Sequence, residues 1–350
     1  MRDHSEADVD ELDLALLHAL QINPRASWTH VGGVLGVNPA TAARRWARLV
    51  NAGIAWVSVY LGAREQVRRC AALIEVDCDA GRTLDVALRL AKDPRIANVI
   101  HTTGGRDLVL NVFLEDVTAL SGFVLNELGP IPGVRKIRSQ VVTQVHTDGS
   151  SWRLSSLDPA QCAAMWAPPH LRPGPAVPAT DTDRRIVTAL SADGRLPYTE
   201  LAGQLSTSVN TVRRRLDRLL ADERIVLRCD LAQALSEWPI TLSLWGTVEP
   251  ALIDRVVHAF TVMRETRLLL SLTGGAANLL CAFWMRTPAD TAELESKLGR
   301  LVPEFTVVDR CLGLRYVKHM GQLLDEDGYG AGMVPVNVWQ QSSCGRPKRR

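Results

Sequence analysis

The sequence lacks the marks of several protein classes. No Cys-x-x-Cys pair occurs in its 350 residues, and the cysteines, at 70, 78, 162, 229, 281, 311 and 344, are odd in number. That usage argues against a zinc site or a disulfide framework, and a reducing cytoplasmic setting is the expectation. There is no run of about 18 apolar residues to span a membrane. The charged opening Met1-Arg2-Asp3-His4-Ser5-Glu6 leads into no apolar stretch of the kind a signal peptide needs. Glycine-rich phosphate loops, metal-ligand spacings and nucleophile motifs are also missing, so no catalytic residue, metal or cofactor is expected. Charge of one sign is scarce: 40 Lys+Arg against 38 Asp+Glu leaves +2. Four of the positive charges sit in the last six residues, Gly345–Arg350, so the body carries −2 (+2 minus 4). Any polyanion must therefore be bound by local patches. With 46% hydrophobic and 22% charged residues the chain is of ordinary globular composition.

What is present is a repeat. Asp13–Leu20 (DLALLHAL) recurs as Asp183–Leu190 (DRRIVTAL), an offset of 170 (183 minus 13). The same offset pairs Arg25 with Arg195, Thr41 with Thr211, and Arg44, Arg45 and Arg48 with Arg214, Arg215 and Arg218. It still holds at Thr103-Gly104-Gly105 and Thr273-Gly274-Gly275. Two copies of one unit are implied. They are separated by residues 158–180, whose prolines suggest a semi-rigid spacer. The end of the chain, 325–350, reads as a disordered basic tail.

Each copy opens with three helical segments, in 8–62 and 181–232. A short second helix (Trp28–Leu35; Tyr198–Leu205) meets a tight turn, then a longer third helix starting at Pro39 or Val209. Val212, Leu216 and Leu219, like Ala42, Trp46 and Leu49, form one apolar stripe at helical spacing. The arginines lie off it: Arg44, Arg45 and Arg48 in copy one, Arg213, Arg214, Arg215 and Arg218 in copy two. A helix, a turn and a basic helix make a helix-turn-helix whose second helix can enter a major groove. Asn38, Thr41, Ser208, Asn210 and Thr211 are further candidate contacts at its start, with local capping as their plainer role. A hinge strand follows (Ile54–Leu61; Ile225–Leu231). Gly32-Gly33 weakens a helix by about 1 kcal/mol per glycine, so copy one's head reads as the less stable of the two, and decay of its DNA function is one reading of the chain. The remainder, 68–150 and 238–322, alternates as β-α-β-β-α-β, a ferredoxin-like order whose open sheet face would pack on a second sheet.

These features resemble the Lrp/AsnC family of transcription regulators. The likeness rests on Asp10–Asp13, Leu17, Leu20, Arg25, Asn38-Pro39-Ala40-Thr41, Asn51–Ile54 and the turn Thr103–Leu108. It implies an α+β chain with two winged helix-turn-helix domains and two effector and dimerisation domains, forming a pseudo-dimer within one polypeptide. It further implies double-stranded DNA as partner, self-association through the sheets, and a small-molecule effector such as an amino acid near Thr103, Gly104, Gly105, Asp107, Gly274 and Gly275. Copy two has Ala277 where copy one has Asp107, so an acceptor for a ligand amine is expected once only. The heads also differ, Asn38–Ala43 against Ser208–Arg213, which predicts an imperfectly palindromic operator. Siroheme decarboxylases resemble the same family, and His101 and His146 would serve that enzymatic alternative. Gly345-Arg346-Pro347-Lys348 resembles an AT-hook core, with a solvated basic terminus as the plainer reading.

Overall fold

The computed structural model describes residues 9–149, 152–166, 179–232, 235 and 238–337. In chain order the helices and strands are α1 (Glu11–Ile22), α2 (Trp28–Leu35), α3 (Pro39–Asn51), β1 (Ala55–Leu61), α4 (Ala63–Arg68), β2 (Cys70–Cys78), α5 (Thr83–Ala91), β3 (Ile96–Thr102), β4 (Leu108–Leu114), α6 (Val117–Gly122), β5 (Val134–Thr147) and α7 (Pro159–Met165). The second copy supplies α8 (Asp181–Ala192), α9 (Tyr198–Leu205), α10 (Val209–Ala221), β6 (Ile225–Leu231), β7 (Ile240–Thr247), α11 (Ile253–Thr261), β8 (Thr266–Thr273), β9 (Leu279–Met285), α12 (Asp290–Leu301), β10 (Thr306–His319), β11 (Gln322–Leu324) and β12 (Gly330–Met333). The chain folds into two compact units.

The first unit contains both helix-turn-helix heads. Leu16, Leu20, Val31, Ala42 and Leu49 close the core of head one. In head two Val212 and Leu216 are fully buried and Leu219 nearly so, as their spacing requires. Burying a side chain of this size contributes about 1.5–3 kcal/mol. The heads are joined by antiparallel pairing of β1 with β6. The central pair is Ser58 with Arg228, which are repeat equivalents, so the ribbon has a pseudo-twofold axis through that pair. Two arginines reinforce the join. Arg25 donates to the carbonyls of Gly194 (2.5 Å) and Leu196 (2.8 Å) and lies 4.7 Å over the Tyr198 ring. Arg195 donates to Pro24 O (2.5 Å) and Ala26 O (2.9 Å) and lies 4.1 Å over Trp28. Burial lowers the Arg195 guanidinium to about 10.

Three expectations change in this unit. The proline-rich spacer begins with a helix, α7: Pro159 occupies the first helical position, where its missing N–H costs nothing, and Asp158 and Gln161 form a capping box. This helix packs on head one. Met165 is fully buried, Leu157 N donates to His18 Nδ1 (3.0 Å), and Leu154 N donates to Gln21 Oε1 (2.8 Å). Residues 167–178 lie outside the described residues. The chain stays packed beyond 325: Gly330 N donates to Gly53 O (2.7 Å), and Tyr329 packs against the core of head one. The terminal AT-hook-like segment lies outside the described residues. Gly32, finally, is not a weak point. A Cβ there would sit 2.6 Å from Val37 O, so glycine lets the turn close on its helix.

The second unit holds the two ferredoxin-like halves, with orders β5-β2-β4-β3 and β10-β7-β9-β8. Both faces of β2 are buried, so the open sheet face is covered as expected, and the two sheets are in addition joined edge to edge into one continuous ring. β5 pairs with β2 over residues 134–141 and with β8 over 141–147, and β10 pairs with β7 and then with β3. Each closing strand is 14 residues long, enough to serve two sheets. Closure removes the free strand edges that would otherwise invite pairing with other chains. The second helix of the first half is split into α6 and a π-turn, Phe123–Leu128. Phe123 and Leu128 are both buried, and a five-residue spacing points one way only if the helix widens. Each half packs its helices over its own core, one around Ile74, Val99, Leu110 and Phe123, the other around Leu244, Phe260, Leu279 and Phe283.

Candidate nucleic-acid interface

The starts of both third helices are capped by their own side chains. Asn38 Oδ1 accepts from Ala40 N (2.8 Å) with Pro39 in the first helical position. Ser208 Oγ accepts from Thr211 N (3.1 Å) and lies 2.9 Å from Thr211 Oγ1. Asn38, Ser208 and Thr211 therefore have structural work whatever else they touch. Thr41 is half-buried and Asn210 is exposed on the first turn.

The arginines divide into two sets. Arg45 reaches back to Asp10 (2.7 Å) and Asp13 (3.0 Å), and Arg48 also pairs with Asp13, whose side chain is fully buried. In head two Arg215 bonds Thr180 Oγ1 (3.0 Å) and Asp183 (3.1 Å), while Arg218 pairs with Asp222 (3.1 Å). Asp13 and Asp183 also complete the capping boxes of α1 and α8. Arg45, Arg48 and Arg215 thus tie the recognition helix to its own head, whereas the Arg218 pair lies within α10 and its cap. Burial resists ionisation of Asp183, but its bonds to Thr180 and Arg215 outweigh that and hold the carboxyl below its ordinary range. Arg44, Arg213 and Arg214 are exposed, and among the described residues no carboxylate pairs with them. Arg213 lies 5.2 Å over the Tyr198 ring. Sequence reading missed the Arg25–Arg195 exchange, although the shared offset of the two arginines was its signal.

In the second unit the candidate effector residues lie on two turns, β3–β4 and β8–β9. Thr103 exchanges bonds with Leu312, giving its N–H to the carbonyl (2.9 Å) and accepting at Oγ1 (2.9 Å). A Cβ on Gly104 would meet Arg310 O at 3.2 Å, and one on Gly274 would meet Ser139 O at the same distance. A Cβ on Gly275 would lie 2.5 Å from Gln140 Nε2, and Gly105 O accepts from Arg138 (2.9 Å). Gly104, Gly274 and Gly275 let a strand of the opposite half approach, whereas a Cβ on Gly105 would meet nothing. Asp107 Oδ2 accepts from Cys78 N (2.7 Å), a local role.

The pairing of Asp107 with Ala277 is corrected. Asn278 Oδ1 accepts from Val248 N (2.9 Å), repeating the Asp107 bond at the equivalent strand end, and its Nδ2 donates to Val248 O (2.7 Å). Thr102 N bonds Asp107 O, as Leu272 N bonds Asn278 O. The second turn is one residue longer, so the 170 offset becomes 171 there and a fixed offset picks the wrong partner. Beside the first turn lies a buried charge cluster. Arg106 is stacked 4.4 Å from Trp245 and contacts Glu75 (3.2 Å) and Asp309; Arg138 binds Glu75 (2.8 Å) and Asp77 (2.6 Å). The bond from Arg138 holds the Asp77 carboxyl below its ordinary range. His146 Nε2 lies 2.8 Å from Ser271 Oγ and burial lowers its pKa, while His101 sits on β3 opposite Arg315. No group of three or more metal-ligating side chains occurs among the described residues. Among the described residues no helix is long and apolar enough to cross a membrane.

The AsnC-type helix-turn-helix domain matches residues 9–50 and again 180–220, and the Lrp/AsnC ligand binding domain matches 71–152. An uncharacterised helix-turn-helix transcriptional regulator of Pyrococcus horikoshii is 28% identical over 145 residues, which is 40% of this chain and 89% of that protein. The Bkd operon transcriptional regulator of Pseudomonas aeruginosa is 27% identical over 139 residues, 38% of this chain and 90% of its own length. Among solved structures, the siroheme decarboxylase NirDL superposes with a TM-score of 0.58 at 14% identity, covering 91% of this chain and 96% of that one, a likeness of fold. Two matched heads at the two copies of the repeat, with a ligand-binding domain behind the first, place the chain in the Lrp/AsnC family, in a tandem two-unit form.

Proposed function

We propose that this chain is a sequence-specific DNA-binding transcriptional regulator that acts as an intramolecular pseudo-dimer. The observation that carries the reading is the pairing of two capped recognition helices within one unit about a pseudo-twofold ribbon, with Arg44, Arg213 and Arg214 exposed and unneutralised. A two-fold pair of such helices suits two half-sites on one duplex. The tethered arginines, Arg45, Arg48 and Arg215, set the pose of the helices, and the free ones meet phosphate or base edges. A small metabolite, with amino acids as the first class to test, acts through the glycine turns of the ferredoxin-like halves. The reading assigns the chain no reaction.

The test is a gel shift and footprint on the DNA upstream of its own coding region, with and without amino acids. Arg44→Ala and Arg214→Ala should each weaken binding by about 1–3 kcal/mol where the arginine reads a base, or flatten the salt dependence where it meets phosphate. Failure of the wild-type protein to bind any duplex more tightly than random DNA would overturn the reading. A coloured protein retaining a tetrapyrrole on purification would point to the enzymatic alternative instead.

A further inference from the structure

The two heads present different chemistry at matched helical positions. The second and fifth residues of α3 are Ala40 and Ala43; those of α10 are Asn210 and Arg213. Residues 210, 213 and 214 are spaced to share one face of the helix, all three are exposed, and they lie in the N-terminal half that enters a groove. Asparagine bonds adenine through two atoms and arginine bonds guanine through two, whereas alanine offers only a methyl group that suits thymine. We infer that sequence discrimination is concentrated in head two: its half-site carries an adenine and a guanine read by Asn210 and Arg213, and the half-site of head one is defined by phosphate contact and thymine methyl groups. This inference rests on the regulator reading above.

Arg213 is also held in a way that Ala43 cannot be. Its guanidinium lies 5.2 Å from the centre of the Tyr198 ring, and Arg25 of head one lies 4.7 Å from the same ring. Arg25 is fixed by the carbonyls of Gly194 and Leu196. A cation over an aromatic face at an exposed site is held weakly, so Arg213 is oriented yet free to leave the ring for a base. Tyr198 is therefore a positioning residue, and two cations at one ring favour the arrival of a polyanion.

The experiment is selection from a randomised duplex library of about three helical turns by the full chain, followed by the same selection with variants. The wild type should yield an operator with one half rich in a fixed adenine and guanine and a second, less informative half. Arg213→Ala should erase the guanine preference in that half alone and lower affinity for the wild-type operator about tenfold or more. Tyr198→Leu should weaken the same preference while Tyr198→Phe keeps it, a split that a general folding defect would not produce. Ala40→Asn with Ala43→Arg should convert the operator toward a symmetric palindrome. A wild-type operator with two equal halves, or an Arg213→Ala variant that loses preference equally in both, overturns the inference while the regulator reading stands. Selection of no sequence at all overturns both.

Discussion

Head one and head two are copies of one design, and they differ in what surrounds them and in what they present. Head one is buttressed: α7 and the segment around Tyr329 pack on its core, and its buried Asp13 receives two arginines. Among the described residues, head two ties Asp183 to one arginine and leaves two arginines of its recognition helix without a carboxylate partner. The left-handed positions follow the same division. Copy one uses glycine, Gly36 at φ 69° and Gly53 at φ 70°; copy two uses Ser206 and Glu223, both at φ 52°. The difference shows that a duplicated fold can keep its frame while one copy gathers support and the other gathers contact chemistry.

The largest expected effect breaks the buttress. Met165→Ala removes a fully buried side chain from α7 and should cost about 2–5 kcal/mol in urea unfolding. A cost near zero would mean that α7 is a spacer after all. Next, Asp13→Asn should destabilise by about 1–3 kcal/mol, discounted because Arg45 and Arg48 are partly exposed, and by more than Asp183→Asn. Equal costs would remove the asymmetry between the two tethers.

A pH dependence should belong to head one alone. Burial, with the nearby Arg153 charge, lowers the pKa of His18 below its ordinary 6.5, and its Nδ1 accepts from Leu157 N as the neutral ring. The unfolded chain takes up a proton at the ordinary value. The docking of α7 is thus fully stable above about pH 6.5 and weakens as pH falls below it toward the folded value. Copy two has Thr188 at this place. Amide-exchange protection of α7, corrected for the intrinsic exchange rate at each pH, should be lower at about pH 5.5 than at about pH 7.5, and His18→Gln should abolish the change; an equal loss of protection in α9 would break the comparison. The smallest effect is a gain. Glu223→Gly should stabilise by a few tenths to about 1 kcal/mol by relieving a left-handed non-glycine residue. Gly53→Ala should do the reverse and by more, since its Cβ would lie 2.4 Å from Gly330 O.

Much of this was legible in the chain. The stripe Val212, Leu216, Leu219, the caps Asn38 and Ser208, and the strand order of both halves follow from local periodicity and turn chemistry, which act within a few residues. The division of the arginines was not legible. Arg45 and Arg44 are adjacent and chemically identical, and only the fold brings Asp10 and Asp13, some thirty residues earlier, beside one of them. The ring closure of the sheets was hidden for the same reason: a 14-residue strand reads alike whether its second half meets solvent or another strand. Asn278 escaped because a one-residue insertion shifts the register, and only the bond to Val248 restores it.

The sequence by itself determined the doubling, the helix-turn-helix heads and the family, because repetition and apolar spacing are written in residue order. The tertiary structure alone decided which cations are held by carboxylates and which remain available, because that depends on distances of a few ångströms between residues far apart in the chain, where Coulomb energy is largest.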